Sequence, residues 1–425
     1  MGAPGRFKLA PCQVAAARSA CLAFIVTRAY VLVVGVVAVL AFGVEGGDAA
    51  VTGGIYEPFG RIGDLLTATA SRYDTGFYLT IALSGYEGEP LRAAFPPLYP
   101  LLIRALKPVT DPVVASDASA ALLAGLIVSW AAFLIGLYLL HRLVSLDFDD
   151  AVAHRTVVLL AVFPTSFFFS AVYAESLFLA LSVGAIYAGR RGRWAIAGVL
   201  GALAATTRLQ GVLLVIPLGV LLLYGPRADR AALPRRGWRP PYAPVALGNA
   251  AWIVLVPLAL VAFGAYLAVA LDDPFATLHA QREGWNRQAA LPVVSAYLGL
   301  EDAAWAANQA RLGSNPVTDG RVRAALTDAA FLVFTVVAVM GGLRRLPLAY
   351  FMYALSALLL LLTSVPDGGR ERLLSLPRVI LVVFPLFIWL ALWADTPRRW
   401  WGTLITSGLL LGGYSALAAT WRWVA

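Results

Sequence analysis

The chain alternates long apolar stretches with shorter polar segments from Leu22 to its C-terminus. A transmembrane helix needs roughly 20 mostly apolar residues, and a chain in lipid satisfies its backbone hydrogen bonds within helices. No polar segment between the stretches is long enough for a separate soluble domain. The pattern therefore predicts an all-α polytopic membrane protein whose residues 1–425 form a single membrane domain.

Hydropathy divides this domain into about eleven transmembrane helices. Pro164, Arg208 and Pro217 interrupt stretches that hydropathy alone would merge into two longer helices, and we keep four shorter spans there. The predicted spans are 22–42, 119–140, 156–172, 175–189, 194–206, 211–224, 247–271, 327–342, 347–364, 379–394 and 401–420.

The first apolar run follows three basic residues, Arg6, Lys8 and Arg18, as the apolar region of a secretory signal peptide does. The run 22–42 is too long for such a region. We therefore expect it to remain in the protein as an uncleaved first span.

The composition agrees with lipid as the main solvent. Hydrophobic residues make up 60% of the 425 residues and charged residues 13%, which is more apolar surface than a soluble core of this size needs. The formal charge of +9 is divided among short clusters between apolar runs and forms no single basic face, so it does not predict nucleic-acid binding. Membrane lipids are the expected surroundings.

The basic residues divide unequally between the two faces that these spans define. With the N-terminus inside, the inner segments and span ends carry 18 of the 33 basic residues, Arg28 among them, but only five of the 24 acidic ones. This distribution follows the positive-inside rule. The loop 226–244 is therefore predicted to be cytoplasmic, and the loops around Asp74 and Trp285 are predicted to lie on the other side.

Cysteine and histidine usage gives no sign of a disulfide framework or a metal centre. Cys12 and Cys21 both lie near the N-terminus, so disulfide bonds cannot hold the external loops together. His141, His154 and His279 form no cluster with metal-ligand spacing. The sequence predicts neither a metal nor another cofactor.

Two outer segments, 43–118 and 272–326, are long and mix acidic, aromatic, proline and polar residues. Long loops of this composition are more often functional than connective. In the first of them, Gly60 to Leu83 and Leu91 to Leu106 combine apolar residues with scattered charges. We predict that both stretches form helices in the membrane interface.

The densest polar group in the first outer segment contains three carboxylates, Asp74, Glu87 and Glu89, among several aromatic residues. A carboxylate there would deprotonate an acceptor hydroxyl, and the aromatic rings would stack on sugars or lie at the level of the lipid headgroups. The alternative is a solvated loop that interfacial aromatic residues anchor.

Seven short elements between residues 71 and 378 follow one another in a recognisable order. They are Tyr73-Asp74, Gly85-Tyr86 with Glu89, Ala94-Phe95-Pro96, Pro164 to Phe178, Arg208-Leu209-Gln210-Gly211, Gln281 with Trp285-Asn286, and Arg372-Leu373-Leu374-Ser375. In this order they resemble the mannosyltransferases of the PIG-V type and their bacterial relatives. Tyr73 replaces the family's usual Trp, Gly76 a frequent His and Ala174 a Ser, which leaves the acceptor open.

The resemblance implies a GT-C-like fold and an inverting glycosyltransferase. Such an enzyme moves mannose from a polyprenyl-phosphate donor to a lipid or glycan acceptor on the extracytoplasmic side, which in a bacterial relative is the outer face of the plasma membrane. Asp74 would be the catalytic base. Arg208, Arg372 and Arg378 would bind the donor phosphate through their guanidinium groups, unless they only extend to the lipid headgroups.

Eight further residues are candidates for substrate binding, and some have a structural alternative. Glu175 lies at the end of a span and would otherwise be the structural partner of an arginine. Gln281, Trp285 and Asn286 would bind the acceptor or the donor sugar, or else cap an interfacial helix. The full set is Tyr73, Glu87, Glu89, Tyr173, Glu175, Gln281, Trp285 and Asn286.

An Asp-x-Asp motif in the segment Asp147-Phe148-Asp149-Asp150 is similar to that of metal-dependent enzymes that use nucleotide sugars. It falls in an inner loop, on the opposite side from the other candidates. We therefore expect it to balance the charges of Arg142 and Arg155 rather than to act in catalysis.

A transporter or flippase for a lipid or small solute is the main alternative function. Transporters place ionisable or helix-breaking residues near the midplane of several spans, whereas the charges here gather mostly at span ends and in loops. A noncatalytic membrane scaffold is a third possibility, and it would tolerate replacement of the outer polar residues.

Overall fold

A computed structural model describes residues 11–44, 59–224, 243–316, 318–366, 372–373, 375–422 and 424. Most of the predicted cytoplasmic loop 226–244, together with Arg6 and Lys8, lies outside these residues. The helices are α1 (Pro11–Phe42), α2 (Gly60–Thr67), α3 (Thr75–Ser84), α4 (Leu98–Thr110), α5 (Asp117–Val144), α6 (Asp150–Val162), α7 (Glu175–Arg190), α8 (Trp194–Ala205), α9 (Val215–Tyr224), α10 (Ala243–Leu271), α11 (Ala276–Trp285), α12 (Pro292–Arg311), α13 (Gly320–Gly342), α14 (Leu348–Leu361), α15 (Leu376–Leu381), α16 (Pro385–Trp393) and α17 (Pro397–Ala419).

Short elements join some of these helices. Four 3-10 helices, Pro90–Ala94, Asp111–Val113, Ser166–Ser170 and Leu209–Leu214, lie in the connections. Strands β1 (Arg287–Ala289) and β2 (Ser364–Pro366) form an antiparallel pair in which Gln288 is opposite Val365. This pair ties the segment after α11 to the segment after α14.

The helical architecture agrees with the predicted class of an all-α membrane protein. Among the described residues, five helices are long and apolar enough to cross a membrane: α1, α5, α10, α13 and α17. The other predicted spans fall on shorter helices or on pairs of them, such as α15 with α16. The total of eleven crossings therefore stays a prediction.

The predicted third span, 156–172, is wrong in its second half. Helix α6 ends at Val162, and Phe163 takes an extended conformation with ψ of 144°. Pro164 explains this end, because proline disfavours the helical conformation of the residue before it and has no N–H for the helix ladder. A buried irregular segment, residues 163–174, replaces the missing turns.

Small residues let the shorter helices pack closely. A Cβ atom at Gly198 would lie 2.2 Å from the Trp252 carbonyl oxygen, so α8 and α10 approach each other there through backbone atoms. Small residues at helix contacts are typical of membrane bundles, where close packing takes the place of a hydrophobic driving force. We conclude that Gly198 sets the distance between α8 and α10.

The predicted interfacial helices of the first outer segment differ in their surroundings. Helix α2 has no buried residue, and Ile62 on it is 77% exposed. Helix α3 instead buries Tyr78, Leu79 and Ile81, because the ten residues after Asp74 carry no charge. The two helices thus differ in burial, and their location in the interface stays a prediction.

Two charge assignments made from the sequence need correction. Arg28 lies within α1 rather than at its inner end, and only 7% of its surface is exposed. Asp147 forms a buried ion pair with Arg190 and accepts a hydrogen bond from Tyr350 at 2.8 Å. Hydropathy gives no information on such partners, because they come from helices that are distant in sequence.

The predicted sidedness can be measured with single cysteines in a variant that lacks Cys12 and Cys21. Ser84 and Glu283 are exposed positions on the predicted outer face, and Arg191 is exposed on the predicted inner face. In intact cells, an impermeant thiol reagent should label cysteines at 84 and 283 but not at 191. Labelling of 191 alone would show that the orientation is reversed.

Candidate active site

A strained turn presents Asp74 at the start of α3. Tyr73, just before it, has a φ of +53°, in the left-handed region that non-glycine residues rarely adopt. The Tyr173 hydroxyl accepts a hydrogen bond from the Asp74 N–H at 3.0 Å and donates one to the Arg72 carbonyl at 3.1 Å. Because strain of this kind persists only where the surroundings fix it, we assign the conformation of the turn to Tyr173.

Four charged side chains form a charge cluster next to this turn, in which each side chain is joined to the next by an ion pair. Arg378 donates hydrogen bonds to Oδ2 of Asp74 and to Oε1 of Glu175. Arg208 donates to the same Glu175 oxygen. The exposed fraction of these side chains runs from 0% for Glu175 to 17% for Asp74. Because charges of opposite sign alternate through the cluster, the desolvated groups balance one another.

Each of these residues lies at an interruption between helices. Glu175 is the first residue of α7, directly after the irregular segment 163–174. Arg208 is extended between α8 and the next 3-10 helix, and a Cβ at Gly211 would lie 2.5 Å from the Ala205 nitrogen. Glycine at 211 is therefore required for this turn. Arg378 lies in the first turn of α15, which follows Ser375, whose φ is +64°.

Aromatic rings extend from the ion pairs to α11. The Arg378 guanidinium carbon lies 4.4 Å from the centre of the Tyr173 ring, within the range of a cation–π contact. Tyr78 packs against Phe95, with ring centres 5.2 Å apart, and Phe95 lies 5.9 Å from Trp285. These rings form a wall between α3 and α11.

The charge cluster and the aromatic wall border a cavity of about 670 Å³. This volume is in the range of small-molecule sites. Polar side chains line one part of it, including Asp74, Arg208, Gln210, Gln281, Arg282 and Arg378. Apolar side chains line another, including Leu213, Phe275, Ala357, Leu360, Val379 and Val383. The cavity can therefore accommodate a ligand with a polar head and an apolar chain.

Five of the residues singled out in the sequence line the cavity: Asp74, Arg208, Gln281, Trp285 and Arg378. Tyr173 and Glu175 contact the lining from behind through the hydrogen bonds described above. The structure thus brings together seven candidates from five separate regions of the sequence.

The other candidates lie elsewhere. The Arg372 guanidinium forms an ion pair with Glu301 at 3.4 Å, and the Arg372 backbone N–H donates a hydrogen bond to the Asp302 carboxylate at 3.2 Å. The Tyr73 ring packs against Trp421 at 5.2 Å. The remaining three, which also stand outside the cavity lining, are Glu87, Glu89 and Asn286.

Sequence reasoning did not select several residues that line the cavity, among them His279 and Arg282. Both belong to α11, which lines the cavity through Leu278, His279, Gln281, Arg282 and Trp285 and through Phe275 just before its first turn. The recurrent spacing of three and four residues is the signal that could have identified them. A hydrogen bond from His279 lowers the pKa of Asp273, which favours a carboxylate beside this imidazole.

The described residues contain no group of three or more His, Cys, Asp or Glu side chains placed to bind a metal ion. The two carboxylates at the cavity, Asp74 and Glu175, both accept hydrogen bonds from Arg378.

Residues 61–222 match the family model of the mannosyltransferases of the PIG-V type. The match runs from α2 to α9 and contains Asp74, Tyr173, Glu175 and Arg208. It confirms the family resemblance predicted from the sequence motifs and supports a membrane-embedded glycosyltransferase. No curated protein matches the chain.

Glu175 is the residue whose replacement should most disturb the charge cluster of Asp74, Arg378, Glu175 and Arg208. Glu175→Gln keeps the shape but leaves two buried guanidinium groups with a single carboxylate, Asp74. Removing one partner of a buried ion pair lowers the free energy of unfolding by about 3 kcal/mol or more. Thermal unfolding in detergent should show the loss, whereas the exposed control Glu283→Gln should unfold like the unmodified protein. Equal stability of both variants would mean that the cluster does not support the fold.

Proposed function

We propose that this protein is an inverting glycosyltransferase that moves mannose from a polyprenyl-phosphate donor to a lipid or glycan acceptor on the extracytoplasmic face. The observation that carries the proposal is a carboxylate, Asp74, that borders a cavity beside two arginines, within the region that matches the mannosyltransferase family. A base next to groups that bind an anion is what displacement of a phosphate from an anomeric carbon requires.

Asp74 is the proposed catalytic base. Arg378 donates to its Oδ2, while Oδ1 has no hydrogen bond among the described residues and remains available to an acceptor hydroxyl. In the transfer step the acceptor oxygen forms a bond to the anomeric carbon, and its proton goes to Asp74. The bond from that carbon to the phosphate oxygen breaks, and the polyprenyl phosphate leaves with the electron pair. Attack from the face opposite the phosphate inverts the anomeric centre.

Arg208 and Arg378 are the proposed contacts of the donor phosphate. A guanidinium has five N–H donors, and the ion pairs use one donor of Arg208 and two of Arg378. The carboxylates therefore fix both forks in place and leave donors for phosphate oxygens. Arg372 is omitted from this role because it lies outside the cavity lining and pairs with Glu301.

The apolar part of the lining supports a lipid-linked donor. Leu213 comes from the 3-10 helix before α9, Ala357 and Leu360 come from α14, and Leu360 is 40% exposed. Such side chains can pack closely against an isoprenoid chain, and in a membrane this packing takes the place of a hydrophobic driving force. A nucleotide sugar would leave this surface without a partner.

The extracytoplasmic location rests on the charge distribution. Helix α11 and strand β1 contribute to the cavity, and both belong to the outer segment 272–326. The positive-inside distribution assigns that segment to the face opposite the arginine-rich loops. In a bacterium this is the outer face of the plasma membrane.

The role of Asp74 is tested with Asp74→Asn in incubations of purified protein, radiolabelled polyprenyl-phosphate mannose and a membrane lipid extract. Asn has nearly the same shape but cannot take the proton, so product formation should fall roughly 10²–10⁴-fold while donor binding persists. Asp117→Asn, an exposed change outside the cavity, is the control.

Near-normal turnover by Asp74→Asn would exclude Asp74 as the base.

The unmodified protein also tests the identity of the donor. Labelled product from polyprenyl-phosphate glucose but not from the mannose donor would show that the transferred sugar is glucose. No labelled product from either lipid would contradict the glycosyltransferase proposal for these donors.

The phosphate contact is tested by comparing Arg208→Ala with Arg372→Ala. The first should raise the KM for the donor about tenfold or more, since a charge-assisted hydrogen bond contributes about 1.5–3 kcal/mol. Arg208→Lys should recover little of the loss if two donors of the fork bind the phosphate. Arg372→Ala should keep a normal KM, and the opposite ranking of the two arginines would move the phosphate site to Arg372.

A further inference from the structure

The irregular segment 163–174 connects three parts of the candidate site. The Tyr173 hydroxyl fixes the turn of Asp74, as described above, and the Val172 N–H donates to the Ala70 carbonyl at 2.9 Å. At the other end of the segment, the Thr165 hydroxyl donates to the Pro377 carbonyl at 3.1 Å, one residue before Arg378. Glu175 follows the segment directly. A shift at the Tyr173 end of this segment would therefore move the base.

The same segment is held from the opposite side by Arg28 of α1. Its Nη1 donates to the Ser166 carbonyl at 2.7 Å and to the Ser170 hydroxyl at 2.8 Å. Its Nη2 donates to the Ala161 carbonyl at 3.1 Å and to the Ser166 hydroxyl at 3.0 Å. The two guanidinium nitrogens thus bind the last turn of α6 and both ends of the 3-10 helix Ser166–Ser170.

A cation at the position of Arg28 is unfavourable, because it must be desolvated. Arg28 lies roughly 21 Å along α1 from Phe42, at a rise of about 1.5 Å per residue, and is therefore deep within the span. No carboxylate lies within ion-pair distance of it in the part of the chain that the structure describes. Two other groups stabilise the cation instead of a carboxylate. They are the carbonyl of Ala161, at the negative end of α6, and the face of Phe133, whose ring centre lies 4.9 Å from the guanidinium carbon.

A hydrophobic residue would fill this space without the desolvation of a cation, so the fold alone gives no reason for an arginine here. What the guanidinium adds is geometry, because its planar fork fixes four oxygen atoms relative to one another. Those atoms determine where the segment 163–174 begins, and the other end of that segment determines where Asp74 lies.

We infer that Arg28 is a positioning residue for the transfer step, acting on Asp74 through the Tyr173 end of the segment 163–174. The inference rests on the proposed function, because it requires Asp74 to be the base. Arg28 touches no substrate, since it is absent from the cavity lining. Its removal should therefore slow catalysis while leaving the affinity for the donor largely intact.

The test uses Arg28→Met in the full-length protein, in lipid nanodiscs, with the labelled donor and lipid extract described above. A displacement of the base by about 1 Å reduces the rate roughly 10²-fold. We expect a fall in kcat of that size with a nearly unchanged KM for the donor. Arg18→Met, an exposed change on the same helix, should keep the normal kcat.

A double variant separates positioning from general stabilisation. Because Arg28 acts through Asp74, Arg28→Met combined with Asp74→Asn should be about as slow as Asp74→Asn alone. Independent, multiplying losses in the double variant would overturn the inference, as would a normal kcat of the folded Arg28→Met protein. High turnover by Asp74→Asn alone would instead overturn the proposed function.

Two milder variants carry the test if Arg28→Met does not fold. Ser170→Ala removes one acceptor of the Arg28 fork and should lower kcat with little change in KM. Arg28→Lys keeps the charge but has three donors on a single nitrogen, so it should recover only part of the rate. A normal kcat in both variants would overturn the inference, and a loss in both with unchanged KM would support it.

Discussion

The alternating ion pairs of Asp74, Arg378, Glu175 and Arg208 are the interaction on which the site depends. Glu175 is fully buried, and an isolated carboxylate there would be strongly unfavourable. The two arginines that balance it come from parts of the chain that lie far apart in sequence. The cluster therefore forms only when α3, α7, α15 and the turn after α8 are all in place.

This dependence explains why the helices are interrupted where they are. Backbone at membrane depth is left irregular only where protein buries it or where it lines a cavity, because lipid offers no hydrogen bonds. The breaks around Arg208 and before Arg378 border the same cavity, and the break before Glu175 contacts its lining from behind. Each break allows a charged side chain to leave the helical surface and reach its partner. The interruptions that weaken the hydropathy signal of the middle spans are thus part of the site.

The sequence predicted the helices better than the connections. Apolar runs identify helices such as α5 and α10, because hydropathy is a local property of about 20 residues. The same signal failed after Val162, where Pro164 ends α6 although the following residues remain apolar. The buried segment 163–174 is as hydrophobic as a span, so composition alone cannot distinguish the two.

The site was predictable where a motif joins neighbouring residues. Tyr-Asp at position 74 and Tyr-Ala-Glu at position 175 were identified in this way, and both belong to the charge cluster. Arg372 and Arg378 looked equivalent in the sequence, yet only Arg378 reaches the cavity. Arg28 appeared to be one more inner basic residue. Its role depends on oxygen atoms more than 130 positions away in the sequence, and one sequence without a structure holds no record of such contacts.

The family match covers only part of the residues that form and support the site. Residues 61–222 contain Asp74, Glu175 and Arg208, but Arg28 precedes this region and Arg378 follows it. Without Arg378, Asp74 would lose the cation that binds its Oδ2, and Glu175 would keep only Arg208. The matched region therefore holds both carboxylates and Arg208, and the helix that follows it provides Arg378, the cation shared by both carboxylates. It follows that the charge cluster belongs to the assembled bundle and that the region of family similarity does not contain all of it.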